Sequence, residues 1–384
     1  MRILLDARMY GLEHTGVGRY IINLTEELKN PSISLGTSLK KLDFIVLLRK
    51  KYYDSLEFPK NWTKVLADFR HYTIAEQIKL PRLISSYKPD LVHFPHFNVP
   101  ILYRGNFIVT IHDMIMHNQG IDSTTLSLPL YYAKRILYRF IFKNAVFSSA
   151  KIITPTNAVK KQINDYYKLN SKKVLVIYEG LSDEFNGRNL KGNAELILKK
   201  FGLQIQKYFI YVGNAYPYKN LNRAIKALIL LNQRNKEKIQ FVIVSSRNVF
   251  TKRLKNDIKS QNAERYIKLL GFVADNELVY LLKNSCAFVY PSLTEGFGLQ
   301  GLESIAAGTI VLASDIPTFK EVYKNNVLYF NPYDYNSIEK CMSEVIETPN
   351  DLREKVINDG RKFIKRYSWA KMAKQTLKIY KQSL

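Results

Sequence analysis

Pro291-Ser-Leu-Thr-Glu295-Gly-Phe-Gly298-Leu-Gln-Gly-Leu-Glu303-Ser-Ile-Ala-Ala-Gly308 is the stretch from which the fold is read. The apolar run just before it, Ala287-Phe-Val-Tyr290, reads as a short buried strand. Gly296 and Gly298 permit a tight loop whose backbone can approach a ligand closely. From Leu299 to Ala307 the apolar residues fall at helical spacing. A strand, a glycine loop and a helix start together offer backbone N–H groups and a positive dipole end to an anion. Glu295 and Glu303 bracket the loop, and a carboxylate can accept both hydrogen bonds of a vicinal diol. An anion cradle between two diol acceptors suits a nucleotide sugar. The competing reading is a strand–turn–helix whose glycines serve packing and whose glutamates face solvent.

Glu295-x7-Glu303, with Glu-Gly-Phe-Gly-Leu inside it, resembles the E-x7-E signature of the retaining nucleotide-sugar glycosyltransferases of family 4. Asn157, Glu179-Gly180, Gly213, Lys219-Asn220, Gly271-Phe272 and Ser368-Trp369 stand where that family's segments would place them, so the resemblance spans nearly the whole chain. It implies an α/β fold of two Rossmann-like domains facing each other across a cleft, the GT-B architecture. Residues 1–185 would bind the acceptor and 195–366 the nucleotide sugar, with 367–384 as a helix crossing back to the N-terminal domain. It also implies transfer of a hexose with retention of configuration. Similarity to mannosyltransferase-like members favours mannose, carried by GDP.

The composition agrees with this and excludes other classes. A chain of 384 residues is long for one core, so two domains are expected. The apolar fraction of 46% argues against disorder. No run has the length of a membrane-spanning helix, and Met1-Arg-Ile-Leu-Leu-Asp6 reads as a strand instead of a signal peptide. With only Cys286 and Cys341, a reduced, cytoplasmic setting is expected. The net charge of +25 is spread over both halves and favours an anionic partner: a membrane surface, nucleic acid or an anionic substrate. A solvated basic surface gives the same total.

Near the N-terminus, Arg2–Asp6 reads as a strand, Thr15-Gly-Val-Gly18-Arg19-Tyr20 as a glycine loop and Ile21–Leu28 as a helix. Ile21 occupies the place of the third glycine of a dinucleotide fingerprint, so a redox cofactor is not expected. Gly16 and Gly18 are expected to bring the loop to the donor phosphate, and Arg19 to add positive charge or to lie on the surface. Residues 30–41 read as a loop. His93, His96, His112, Asp113 and His117 fall near the C-terminal ends of the strands 91–94 and 107–111, where parallel sheets bind ligands. Their spacing fits no zinc pattern. The resemblance assigns His112 to the donor sugar, while Arg19, His96 and Asp113 are expected on the acceptor side.

Tyr131–Phe147 reads as a helix on which Arg135, Arg139 and Lys143 form a basic stripe edged by Tyr138 and Phe142, either for anionic lipid or as a solvated edge. Residues 182–198 read as a linker. In the second half, the strand 208–213 leads through Gly213 and Asn214 to Lys219, placed at a helix start to neutralise phosphate. The family often has an arginine where Asn214 stands; Arg223 or Arg247 is the expected substitute. Gly271 and Phe272, by resemblance, adjoin the nucleobase.

These readings give His112, Lys219 and Glu295 as catalytic residues. Gly16, Gly18, Gly213, Asn214, Gly271, Phe272, Gly296, Phe297, Gly298, Leu299 and Glu303 join Lys219 and Glu295 in binding the donor, with Glu303 on the ribose diol. No Asp-x-Asp occurs in the chain, so no metal is expected, and no cofactor besides the nucleotide sugar. The expected partner is a saccharide or lipid-linked acceptor, at the cytoplasmic face of a membrane. Three rival readings fit these residues less well. A glycoside hydrolase pair of Glu295 and Glu303 leaves the anion cradle unexplained. A sugar-nucleotide epimerase would use the same fold, but the E-x7-E block favours transfer. A basic nucleic-acid binder would be expected to carry a recognisable module, and none is visible.

Overall fold

Strands buried on both faces need runs of apolar residues without alternation, and this chain supplies them in two sets. The computed structural model describes residues 1–30, 42–170, 172–181, 185, 192–245 and 249–384. The described residues divide into two units, Met1–Gly180 with Ser368–Leu384, and Leu181–Tyr367.

In the first unit Arg2–Asp6 (β1), Asp43–Leu48 (β2), Trp62–Leu66 (β3), Leu91–Phe94 (β4), Phe107–Thr110 (β5), Lys151–Thr154 (β6) and Val174–Val176 (β7) form one sheet. Their order is β3-β2-β1-β4-β5-β6-β7, and every pairing is parallel. The chain runs outward from β1 to β3 and then restarts at β4 on the other side of β1, with Ile3 opposite Leu91 and Leu5 opposite His93. Such a reversal opens a crevice beyond the strands' C-terminal ends. Here those ends are Asp6 and Phe94. The helix Trp369–Gln382 belongs to this unit; the Ser368 side chain accepts the Lys371 N–H at 3.4 Å and caps it. Tyr380 on that helix meets His93 Nδ1 at 2.7 Å, tying the end of the chain to β4.

The second unit repeats the plan. Tyr208–Val212 (β8), Gln240–Val244 (β9), Ile267–Leu270 (β10), Phe288–Tyr290 (β11), Val311–Ser314 (β12) and Leu328–Phe330 (β13) are ordered β10-β9-β8-β11-β12-β13, again all parallel. The reversal lies between β8 and β11. The segments that leave these two strands carry Lys219 and Glu295.

Several local expectations are corrected. The helix expected from Ile21 begins at Thr15 and runs to Lys29, so Gly16 and Gly18 are helical and not in a loop. Gly18 is there because the helix passes the carbonyl of Gly11: a Cβ would lie 1.8 Å from Gly11 O. The helix expected over Tyr131–Phe147 runs further, over Leu128–Ser148. Part of the expected linker is the helix Ala194–Lys200, capped by Asn193, whose side chain accepts the Glu195 N–H at 2.8 Å. The rest of that linker, at 182–184 and 186–191, lies outside the described residues, as do most of the expected loop (31–41) and Arg247.

Candidate functional site

In the second unit the chain leaves β11, turns through 291–298 and enters the helix Leu299–Ala307. Gly298 at the helix start has φ +95°, a conformation that suits glycine. The loop is held from below. The buried Tyr323 hydroxyl donates to Gly298 O at 2.5 Å, and the Thr318 hydroxyl donates to Glu295 O at 2.8 Å. Glu303 sits in the helix's second turn and is buried. Phe297 and Leu299 turn their side chains into the core, Phe297 edge-on to Tyr367 at 5.6 Å, so they offer a ligand only backbone.

Lys219 comes from the segment after β8. The turn Pro217–Lys219 ends at Asn220, which adopts a left-handed φ of 59°. Asn220 Nδ2 donates to Pro291 O at 3.0 Å and to Pro332 O at 2.8 Å, which fixes the lysine's turn to the start of the loop. The buried Lys219 ammonium donates to Glu295 Oε1 at 2.5 Å and lies 5.0 Å and 5.6 Å from the ring centres of Tyr218 and Tyr290. The two residues given separate roles above, phosphate for Lys219 and sugar for Glu295, are thus one ion pair. Sequence reading missed this because they are far apart in the chain and meet only through the β8–β11 adjacency.

The remaining donor-side positions surround this core. Gly213 has φ +148°, and Asn214 O accepts the Tyr211 hydroxyl at 2.7 Å. Arg223 donates to Asn220 Oδ1 at 2.8 Å and stacks over Tyr333 at 5.8 Å, so it supports the lysine turn. Phe272, beside the half-buried Gly271, is 86% exposed.

In the first unit His112 follows β5. Its Nδ1 donates to Glu179 Oε1 at 3.1 Å and its Nε2 to Pro95 O at 3.0 Å. Both partners are acceptors, an arrangement that favours a proton on each ring nitrogen. Burial alone would lower this pKa; the hydrogen bond and charge of Glu179, with Pro95 O and Asp113, outweigh it and raise it. The edge of Tyr20 packs on the ring at 4.9 Å. Asp113 Oδ1 accepts the Ile115 N–H at 2.8 Å, a local turn. Arg19 is half-buried on the first helix. His96 Nδ1 accepts the Asn98 N–H at 3.3 Å, and burial, with His112 nearby, lowers its pKa to about 3.

His93 and His117 are structural. His93 meets Tyr380 and Thr110 hydroxyls at 2.7 and 2.8 Å, and His117 meets those of Tyr138 and Tyr167 at 2.5 and 2.9 Å. Among the described residues no three His, Cys, Asp or Glu side chains gather as a metal site would require.

One charged cluster had no sequence assignment. Arg8 joins Asp6, at the end of β1, through Nε–Oδ1 and Nη2–Oδ2 contacts of 2.7 Å each, and its Nη2 reaches Glu76 Oε1 at 2.9 Å. Burial raises the Asp6 pKa, but the Arg8 charge and hydrogen bonds overcome this and lower it. Asp6-x-Arg8 at a strand end was the only local signal.

Comparison with known proteins follows the same division. Residues 14–185 match the family described as Glycosyltransferase Family 4, and residues 194–363 match Glycosyl transferases group 1. The O-antigen chain mannosyltransferase RfbU of Salmonella typhimurium is 28% identical over 305 residues, covering 78% of this chain and 76% of that one. The O-antigen chain mannosyltransferase B of Escherichia coli is 25% identical over 394 residues, covering 99% and 100%. A glycosyltransferase structure from Rickettsia africae superposes with a TM-score of 0.71 at 20% identity, covering 100% of this chain and 98% of that one.

Proposed function

Because the chain belongs to glycosyltransferase family 4, we propose that it moves mannose, with retention of configuration, from GDP-mannose to a saccharide or lipid-linked saccharide of a cell-surface polysaccharide. The choice of sugar and of polysaccharide is supported by the O-antigen mannosyltransferases to which the chain is similar. The observation that carries the reading is the buried Lys219–Glu295 pair beside a glycine-started helix.

Departure of a nucleoside diphosphate leaves negative charge on the phosphate and positive character on the sugar. A fixed cation and a helix N-terminus stabilise the first without rearrangement. Lys219 supplies the cation, held by Glu295, Tyr218 and Tyr290. Glu295, oriented in turn by the lysine, takes sugar hydroxyls, and Glu303 takes the ribose diol. His112, as an imidazolium, donates from Nε2 to the transferred sugar once that nitrogen exchanges Pro95 O for a sugar hydroxyl. With charge neutralised by these groups, the reaction needs no metal and no cofactor. We assign the protein to the cytoplasmic side of a membrane, with the exposed helix 128–148 as its contact.

The test is thermal unfolding with GDP, UDP, ADP, TDP and their sugars, for wild type and Glu303→Ala. Ligand at about a hundred times its Kd adds about 2.7 kcal/mol. The expected result is a shift with GDP and GDP-mannose that Glu303→Ala loses. A shift confined to another base would replace the donor, and no shift with any nucleotide would overturn the reading.

A further inference from the structure

Resting on that reading, we infer that Arg8, His71 and Asn98 form a pocket in the first unit that takes one hydroxyl of a pyranoside acceptor. The pocket lies beyond β1 and β4, at the sheet's reversal, and has room for about one water-sized group, 10 Å³. Three buried polar atoms on its lining residues have no partner among the described residues: Arg8 Nη1, His71 Nε2 and Asn98 Oδ1. Buried polar atoms are rarely left so.

Their orientation is fixed by Glu76. The other two nitrogens of Arg8 are taken by Asp6 and Glu76. Asn98 Nδ2 donates to both Glu76 oxygens at 3.0 Å, so the amide cannot flip and Oδ1 must face away. His71 Nδ1 lies 3.4 Å from Glu76 Oε1, which leaves Nε2 for the pocket.

The chemistry selects the ligand. Arg8 offers a donor and Asn98 an acceptor, so the guest must both accept and donate. Two carboxylates, Asp6 and Glu76, oppose an anion, and the guanidinium opposes a cation. A hydroxyl meets all four conditions. The Pro95 turn, which lines the pocket, also carries the carbonyl that receives His112 Nε2 at 3.0 Å. An acceptor sugar anchored here is therefore held next to the residue assigned to the transferred sugar.

The experiment is saturation-transfer NMR on the full chain with methyl α-pyranosides of mannose, glucose and galactose and with their monodeoxy analogues. For at least one sugar, wild type is expected to lose about tenfold in affinity with a single deoxy analogue, as loss of one buried hydrogen-bond pair implies. Asn98→Ala is expected to bind that analogue and its parent alike. His71→Phe, at a half-buried position, gives the same comparison should Asn98→Ala fail to fold; the nucleotide thermal shift reports folding in both. If the variants keep the wild-type discrimination, or wild type shows none, the pocket holds only water and the inference falls. If no pyranoside binds while the nucleotide shift is present, the inference falls and the proposed function stands. If the nucleotide shift is absent as well, both fall.

Discussion

His112 shows how one side chain couples charge to position. Its two nitrogens face a carboxylate and a carbonyl, which favours the imidazolium over the neutral ring. Its folded pKa is raised above the ordinary value of about 6.5. The sign of the linkage follows. Below that ordinary value both folded and unfolded states are protonated, and the contact contributes in full. As pH rises through the folded pKa the contribution is lost. Stability is therefore expected to fall across that interval in wild type, and the fall is expected to disappear in Glu179→Gln. An NMR titration of the His112 ring checks the cause: its pKa should drop in the variant. An unchanged titration would mean that Glu179 does not hold the proton.

The loop and helix at 291–307 are held by steric contacts as much as by hydrogen bonds. The Tyr323 hydroxyl fits against Gly301, where an added Cβ would lie 2.3 Å from it, and donates to Gly298 O. Gly301→Ala is expected to push this ring away, costing about 1–3 kcal/mol as overpacking does, and to weaken nucleotide binding. Tyr323→Phe removes the atom in closest conflict, so the double variant should be more stable than the two single effects added together. Denaturant unfolding of the four proteins measures this, and strict additivity would refute the contact. The glycines of this loop were legible in the sequence because strand, loop and helix are contiguous. Gly16 and Gly18 were placed in a loop and are helical; Gly18 was misread for the opposite reason, since it lets the helix pass Gly11, a contact with a separate turn. The edge strand β3 was not recognised, since Thr63 and Lys64 interrupt its apolar residues. The Lys219–Glu295 pair and the Arg8 cluster depend on which strands become neighbours, and strand order is not written locally.

At the scale of the molecule, the +25 charge is best tested where it meets apolar surface. Among the described residues no helix is long and apolar enough to cross a membrane. The helix 128–148 instead leaves most of Leu128–Phe140 uncovered, with Ile136 70% and Phe140 56% exposed and Leu130 and Leu137 beside them. Lys134, Arg139 and Lys143 are exposed on the same helix. Arg135 is not part of this surface: its guanidinium donates to Gln119 O and His117 O and closes the turn before the helix. Large apolar side chains interleaved with lysine and arginine fit the boundary between headgroups and acyl chains. Each basic residue near an anionic leaflet adds about 1 kcal/mol, and partial burial of each large apolar side chain adds a comparable amount. Co-sedimentation with phosphatidylglycerol-containing vesicles is therefore expected at about 0.1 M salt, where charges act over about 10 Å. Raising the salt should weaken it. Replacing Lys134, Arg139 and Lys143 with glutamate should remove the preference for anionic over neutral vesicles. Ile136→Ser with Phe140→Ser should reduce binding at least tenfold while leaving the nucleotide thermal shift intact, because both residues lie outside the unit that carries Lys219 and Glu295. Equal binding by that pair of substitutions would show that the helix does not insert and that the charge acts from elsewhere on the surface.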